Sequence, residues 1–158
     1  MRILLLALPA ICLALAACDP APQSATRMAE PTEHAVSVTD AWIRLPAVGG
    51  RPASGYFTAA AGAMPEAIVN VTSPSPGRLE MHESMSDGGM SSMRQIETVP
   101  FEAGEPLMFE PGGKHLMLFS LDPTVKPGDT LALTFAFSRA QPVTVQAQVI
   151  AAGDPAPE

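Results

Sequence analysis

Two histidines and two methionines at distinctive spacing are the residues of this chain that could do chemistry. Ten residues separate His82 from Met93, twenty-one separate Met93 from His115, and one separates His115 from Met117. Two imidazoles and two thioethers form a soft nitrogen and sulfur donor set that suits Cu(I), whereas Mg²⁺, Ca²⁺ and Mn²⁺ prefer oxygen ligands. Zinc sites and type 1 copper centres ordinarily use cysteine, and no cysteine lies near these residues. The donor set therefore predicts a Cu(I) site.

The local sequence indicates that these four side chains can share one face of a β-sheet. His115 and Met117 are two positions apart on a predicted strand, so both side chains project from the same face. Asp87-Gly88 favours a two-residue hairpin turn. That turn would set His82 directly opposite Met93, whereas a turn at residues 88–89 would set Gln95 there. The sequence leaves both registers open.

The sequence predicts short β-strands as the elements that position these residues. Apolar and polar residues alternate along most of the chain after residue 36, and Gly- and Pro-rich turns separate the alternating segments. Strands of this length and spacing favour an all-β Greek-key sandwich or barrel. The predicted strands cover residues 36–45, 55–61, 67–72, 78–84, 90–97, 115–121, 130–138 and 143–149.

Composition and charge exclude several classes of protein. The chain has 158 residues, 47% of them apolar, and a formal net charge of −7. It contains no cluster of basic residues, which argues against a nucleic-acid partner. Seventeen prolines spread along the chain disfavour a helical bundle. No nucleophile or acid/base pair stands beside a suitable partner, so the sequence predicts a binding protein and not an enzyme.

Residues 1–17 have the pattern of a targeting signal. A basic residue, an apolar run and the sequence Leu15-Ala16-Ala17-Cys18 resemble a bacterial lipoprotein signal, in which Cys18 becomes the lipidated first residue of the mature protein. We therefore expect a periplasmic protein that an N-terminal lipid anchors to the membrane. The predicted division is a lipoprotein signal peptide at residues 1–17, a lipid-anchored flexible linker at 18–35, a copper-binding β domain at 36–150 and a disordered tail at 151–158.

The spaced donors and their surroundings resemble the PCu(A)C family of periplasmic copper chaperones. The motifs that carry the resemblance are His82-x10-Met93-x21-His115-x-Met117, Asp40-Ala41-Trp42, Asp87-Gly88-Gly89 and Pro111-Gly112-Gly113. The resemblance implies a cupredoxin-like β fold that binds one Cu(I) through the four side chains. It also implies delivery of copper to the CuA centre of cytochrome c oxidase, with an oxidase subunit or another periplasmic copper chaperone as partner. The alternative is a copper-buffering or resistance lipoprotein without a dedicated recipient.

Other residues near the motif have open roles. Alternation places Met81 on the core face of its strand. Met85 and Met90 either pack in the core or assist copper capture. Glu80 and Glu83 are either exposed carboxylates or acceptors that orient a ligand imidazole.

Replacing Cys18 tests the predicted anchor. Two acyl chains on Cys18 would give durable attachment to a membrane, because each buried methylene contributes about 0.8 kcal/mol. We expect Cys18→Ser to abolish incorporation of labelled fatty acid, whereas Cys12→Ser, which changes a cysteine inside the predicted signal, should leave it intact. Labelling of the Cys18→Ser protein at the wild-type level would contradict the prediction.

Overall fold

Ten β-strands account for the regular structure of the described residues. The computed structural model describes residues 34–75, 77–87 and 90–157, so Cys18 and the predicted signal peptide lie outside it. None of the residues that the structure describes belongs to a helix long and apolar enough to cross a membrane. The strands are β1 Val36–Arg44, β2 Ala53–Ala61, β3 Glu66–Thr72, β4 Arg78–Asp87, β5 Met90–Ile96, β6 Val99–Phe101, β7 Leu107–Phe109, β8 Lys114–Phe119, β9 Thr130–Phe137 and β10 Val143–Ile150.

The strands form one sheet in the order β5-β4-β8-β2-β1-β10-β9-β3-β6, and β7 also pairs with β2. The neighbours are antiparallel except for β1 and β10, which run parallel. The sheet curls until β3 comes close to β4, which makes a nearly closed barrel. The prediction of an all-β sandwich or barrel is confirmed.

All eight predicted strands are present, and no strand end differs from its predicted position by more than three residues. The sequence pattern did not predict β6 and β7, which have three residues each. Three residues are too few to display the alternation of period two that identifies a half-buried strand. Both strands are held by pairing with a longer neighbour, β3 for β6 and β2 for β7.

The barrel interior is filled by alternate residues of the longer strands. Phe57 stacks on Phe109 with ring centroids 4.3 Å apart and meets the edge of Phe135 at 4.6 Å. Leu116 of β8 is completely buried and packs against Gly55 of β2, where a Cβ atom would lie 3.2 Å from the Leu116 Cβ. Burial of each large side chain contributes about 1.5–3 kcal/mol. This core fixes which face of each strand points inward.

A β-bulge in β1 changes which residues of that strand point inward. The pairing of β1 with β2 shifts between Thr39 and Trp42, and Asp40 has a φ of 52°. Because of the extra residue, Trp42 points away from the main core and stacks on Tyr56, with ring centroids 4.3 Å apart. The bulge thus leaves Ile43 in the main core and Trp42 in a separate cluster with Tyr56 and Ile150.

The residues after β10, where the sequence predicts a disordered tail, make a turn beside β1. The amide of Ala151 donates a hydrogen bond to Asp154 Oδ2 at 2.9 Å. The Arg44 Nη2 atom donates to the Asp154 carbonyl oxygen at 3.0 Å, and its guanidinium lies over the Trp42 ring. These contacts attach the turn to the outer face of the barrel.

A buried carboxylate joins β3 to the loop between β9 and β10. Glu66 is 2% exposed and accepts hydrogen bonds from the Ser138 hydroxyl and from the backbone amides of Ala67, Arg139 and Ala140. Burial raises the pKa of Glu66, but these hydrogen bonds outweigh burial and lower the pKa from 4.5 to about 2. The ionised carboxylate therefore stabilises the folded state.

Glu66→Gln should lower the free energy of unfolding at pH 7 by on the order of 3 kcal/mol, because the amide group cannot satisfy all of these donors. The pKa of Glu66 is depressed in the folded state, so its stabilisation is complete above about pH 4.5 and is lost as the pH falls toward about 2. Urea unfolding at several pH values should show the difference between wild type and variant shrinking in acid.

Glu102→Gln is the matched control, since Glu102 is exposed, and it should change stability by less than about 0.5 kcal/mol. A Glu66→Gln variant as stable as wild type at pH 7 would show that the network does not stabilise the fold.

Candidate metal centre

Pairing of β4 with β8 brings the two candidate histidines side by side. His82 pairs directly with His115, and Glu80 pairs with Met117. Cross-strand partners share a face and have Cβ atoms roughly 4.5–5.5 Å apart. The imidazole centroids are 6.1 Å apart. The candidate ligands His82, His115 and Met117 therefore lie together on one face of two neighbouring strands.

Pairing of β4 with β5 adds Met93 to the same face. The register pairs His82 with Gln95 and Ser84 with Met93, which is the second of the two registers that the sequence left open. The first register, which put His82 directly opposite Met93, is wrong by two residues of β5. A shift of two residues preserves the face, because side chains alternate with period two. Met93 is therefore a diagonal neighbour of His82, within reach of a long side chain.

The tight turn before β8 orients the His115 ring. Gly112 has a φ of 88°, a left-handed conformation that favours glycine. The next carbonyl, that of Gly113, accepts a hydrogen bond from His115 Nδ1 at 3.0 Å and another from the amide of Ser84 at 3.1 Å. His115 is only 6% exposed. Its hydrogen on Nδ1 leaves the lone pair of Nε2 available for a metal.

A carboxylate two residues earlier on β4 orients the His82 ring. The Glu80 Oε2 atom lies 2.9 Å from His82 Nε2, and Glu80 Oε1 lies 3.1 Å from Arg78 Nη1. His82 Nδ1 is buried and has no hydrogen-bond partner among the described residues. A buried nitrogen of this kind can serve as a metal ligand. Of the two roles left open for Glu80, the structure shows contact with the imidazole.

The two thioethers differ in exposure. Met93 is 59% exposed on the edge strand β5, whereas Met117 is half-buried between β4 and β2. Met117 is two residues from His115, so each thioether has an imidazole within roughly 7 Å on the same face. The site is therefore closed at its β8 side and open to solvent at its β5 side.

The opposite face of these strands holds them in register. Met81 is buried in the core, as the sequence predicts, and pairs with Leu116. Glu83 accepts from Arg94 Nη2 at 2.9 Å and from Lys114 Nζ at 3.1 Å. The hydrogen bonds from Arg94 and then Lys114 hold the pKa of Glu83 below its ordinary value. Glu83 thus connects β5, β4 and β8, and its carboxylate pairs with Arg94 and Lys114 and not with the His82 ring.

The structure excludes a core position for Met85 and adds a backbone contact that the sequence did not predict. Met85 pairs with Ser92 and is 44% exposed, so it is not core, and it lies on the face away from His82. The Gly113 carbonyl was not identified from the sequence, because a backbone acceptor has no signature in side-chain chemistry. Glu80 had such a signal, since alternation on a strand puts residues 80 and 82 on one face.

The fold and the site define an all-β domain that presents imidazole and thioether donors on the outer face of a barrel. Residues 36–149 match the family described as "Putative lipoprotein LpqE-like". The chain belongs to this family.

One curated relative is similar over part of this chain. "Putative lipoprotein Lxx21020" of Leifsonia xyli subsp. xyli is 29% identical over 104 residues, which are 65% of this chain and 62% of the relative. The chain spans less than two thirds of the length of the curated relatives it matches.

The copper-bound PCuAC domain of PmoF2 is similar in structure, with a TM-score of 0.61 and 21% identity over 73% of this chain and 92% of that chain. Cu(I)-bound DR1885 of Deinococcus radiodurans has a TM-score of 0.58 and 23% identity over 83% of this chain and 86% of that chain. The predicted likeness to PCu(A)C domains is confirmed in the fold.

Methionine-to-leucine changes test the site. Met93→Leu and Met117→Leu each remove a sulfur atom while preserving volume and hydrophobicity, so the free energy of unfolding of the apo-protein should fall by less than about 1.5 kcal/mol. Affinity for Cu(I), measured by competition with a chromogenic chelator, should fall by about tenfold or more for each.

Each variant has a control at a methionine outside the proposed ligand set. Met108, on β7, is 52% exposed, and Met81 is buried in the core. Met108→Leu is the control for Met93→Leu, and Met81→Leu is the control for Met117→Leu. Neither control should change the affinity of the protein for Cu(I). Normal copper binding by Met93→Leu would remove Met93 from the ligand set.

Proposed function

We propose that this protein is a periplasmic carrier that binds one Cu(I) through His82, Met93, His115 and Met117. The observation that carries the proposal is the register of β5, β4 and β8, which puts two imidazoles and two thioethers on one face. The buried Nδ1 atom of His82, which lacks a hydrogen-bond partner among the described residues, supports a metal ligand at that position.

The chemistry of the donors supports Cu(I) as the metal. Thioether sulfur binds soft ions, and the imidazole nitrogens complete a set that a d¹⁰ ion accepts without a strict geometry. The Cu(I)-bound state of DR1885, a protein of the same fold, supports the same choice.

The asymmetry of the site supports a carrier rather than an enzyme. Four protein donors would leave no coordination position for a substrate. Met93, being exposed on an edge strand, would let an incoming ligand reach the copper while His115 still holds it from the buried side. Copper can then pass to a partner by exchange of one ligand at a time.

The resemblance to the PCu(A)C family supports cytochrome c oxidase as the destination, with its CuA centre as the recipient site. An oxidase subunit or another periplasmic copper chaperone would be the direct partner. The family description as a lipoprotein supports attachment of Cys18 to lipid. The anchor and the predicted linker would hold the domain close to a membrane surface.

Transfer to a CuA domain tests the proposal. Cu(I)-loaded protein is mixed with a purified apo CuA domain, the two are separated, and the copper content of each is measured over time. We expect copper to reach the CuA domain faster than it dissociates into an excess of small chelator, because a complex lets ligands exchange directly.

The Met108→Leu protein should transfer copper at the wild-type rate, since Met108 is an exposed methionine outside the proposed ligand set. Transfer no faster than passive dissociation would favour the alternative, a copper-buffering or resistance lipoprotein without a dedicated recipient. Failure of the wild-type protein to bind Cu(I) at all would overturn both functions.

A further inference from the structure

Glu80 is a polar group of the site that the proposed ligand set leaves unused. Its carboxylate bridges two side chains of its own strand, with Oε1 at 3.1 Å from Arg78 Nη1 and Oε2 at 2.9 Å from His82 Nε2. The side chains of Glu80 and His82 are 13% and 16% exposed, whereas that of Arg78 is 62% exposed. The bridge therefore links a partly buried imidazole to a cation at the surface.

The bridge determines which nitrogen of His82 carries hydrogen. A carboxylate paired with a guanidinium is an acceptor only, so His82 Nε2 must be the donor in this contact. In a neutral imidazole with hydrogen on Nε2, the lone pair lies on Nδ1. That atom is the one that is buried without a hydrogen-bond partner among the described residues.

The other imidazole has the opposite arrangement. His115 Nδ1 is 3.0 Å from the Gly113 carbonyl oxygen, which can only accept, so the hydrogen is on Nδ1 and the lone pair on Nε2. The two rings face each other across β4 and β8, with centroids 6.1 Å apart. Each ring thus has one nitrogen occupied by a protein acceptor and one left as a donor to a metal.

We propose that Glu80 is a positioning residue that holds His82 in its Nε2–H form, so that copper is bound by Nδ1 of His82 and by Nε2 of His115. The proposal rests on the proposed copper-binding function and adds the identity of each ligating atom. Arg78 supports Glu80 by holding its second oxygen. Such partners of a ligating histidine orient the ring and raise its basicity, and their loss typically weakens metal binding by about 10–100-fold.

The first test is made on the wild-type protein without metal. In ¹⁵N-labelled protein, long-range ¹H–¹⁵N correlation distinguishes a protonated ring nitrogen from one with a lone pair. We expect His82 to show hydrogen on Nε2 and His115 to show hydrogen on Nδ1. Hydrogen on His82 Nδ1 would overturn the proposal, whatever the protein does with copper.

The second test follows the same signals after addition of Cu(I), which is diamagnetic. We expect the His82 Nδ1 and His115 Nε2 resonances to shift while the His82 Nε2–H group remains. A shift of His82 Nε2 with loss of its hydrogen would show that copper binds the other nitrogen and would overturn the proposal.

Variants of Glu80 test whether this residue positions the His82 ring or only stabilises the fold. Glu80→Ala should weaken Cu(I) binding by about 10–100-fold, and Glu80→Gln should lose less, because the amide oxygen can still accept from Nε2–H. Glu97→Gln is the control, since Glu97 is exposed directly after β5 and is not part of the Arg78–Glu80–His82 bridge. It should bind Cu(I) within about twofold of wild type.

The outcomes distinguish this inference from the proposed function. A wild-type protein that binds no Cu(I) would overturn the proposed function. Wild-type binding with unchanged affinity in Glu80→Ala would leave the copper function standing and overturn the role of Glu80.

Discussion

The register between β4 and its two neighbours is the constraint on which the site depends. Met81 and Leu116 form a buried pair on the inner face, so a slip of one residue would expose this pair and turn His82 into the core. On the rim, Glu83 fixes the same register through its two ion pairs. Apolar burial on one side of the sheet therefore determines the alignment of the imidazole and thioether side chains on the other, so the proposed ligands are aligned before any metal binds.

The site combines fixed imidazoles with a more accessible thioether. Both rings are held by nearby acceptors, Glu80 on the same strand for His82 and the Gly113 carbonyl in the turn before β8 for His115. Met93 lies on an edge strand and is largely exposed. Fixed rings reduce the cost of ordering when metal binds, and an exposed thioether gives a partner a place to begin ligand exchange. The proposed carrier function needs both properties, since a carrier must hold copper firmly and release it to a partner.

The sequence predicts much of this arrangement because its signals are periodic and local. Alternation identified eight strands and placed Met81 inward, and the His-x-Met spacing set His115 and Met117 on one face. The hairpin register was ambiguous, since three consecutive residues, Asp87 and the two glycines after it, support two turn positions. The parallel pairing of β1 with β10 and the acceptor role of the Gly113 carbonyl depend on contacts distant in sequence or on backbone atoms, which carry no local pattern.

X-ray absorption spectroscopy of the Cu(I)-loaded protein at one equivalent of metal tests the proposed ligand set, because it counts the atoms bound to copper. We expect a single copper environment with two nitrogen and two sulfur neighbours, the nitrogen signal carrying the multiple scattering typical of imidazole. A copper shell of nitrogen and oxygen atoms without sulfur would contradict it.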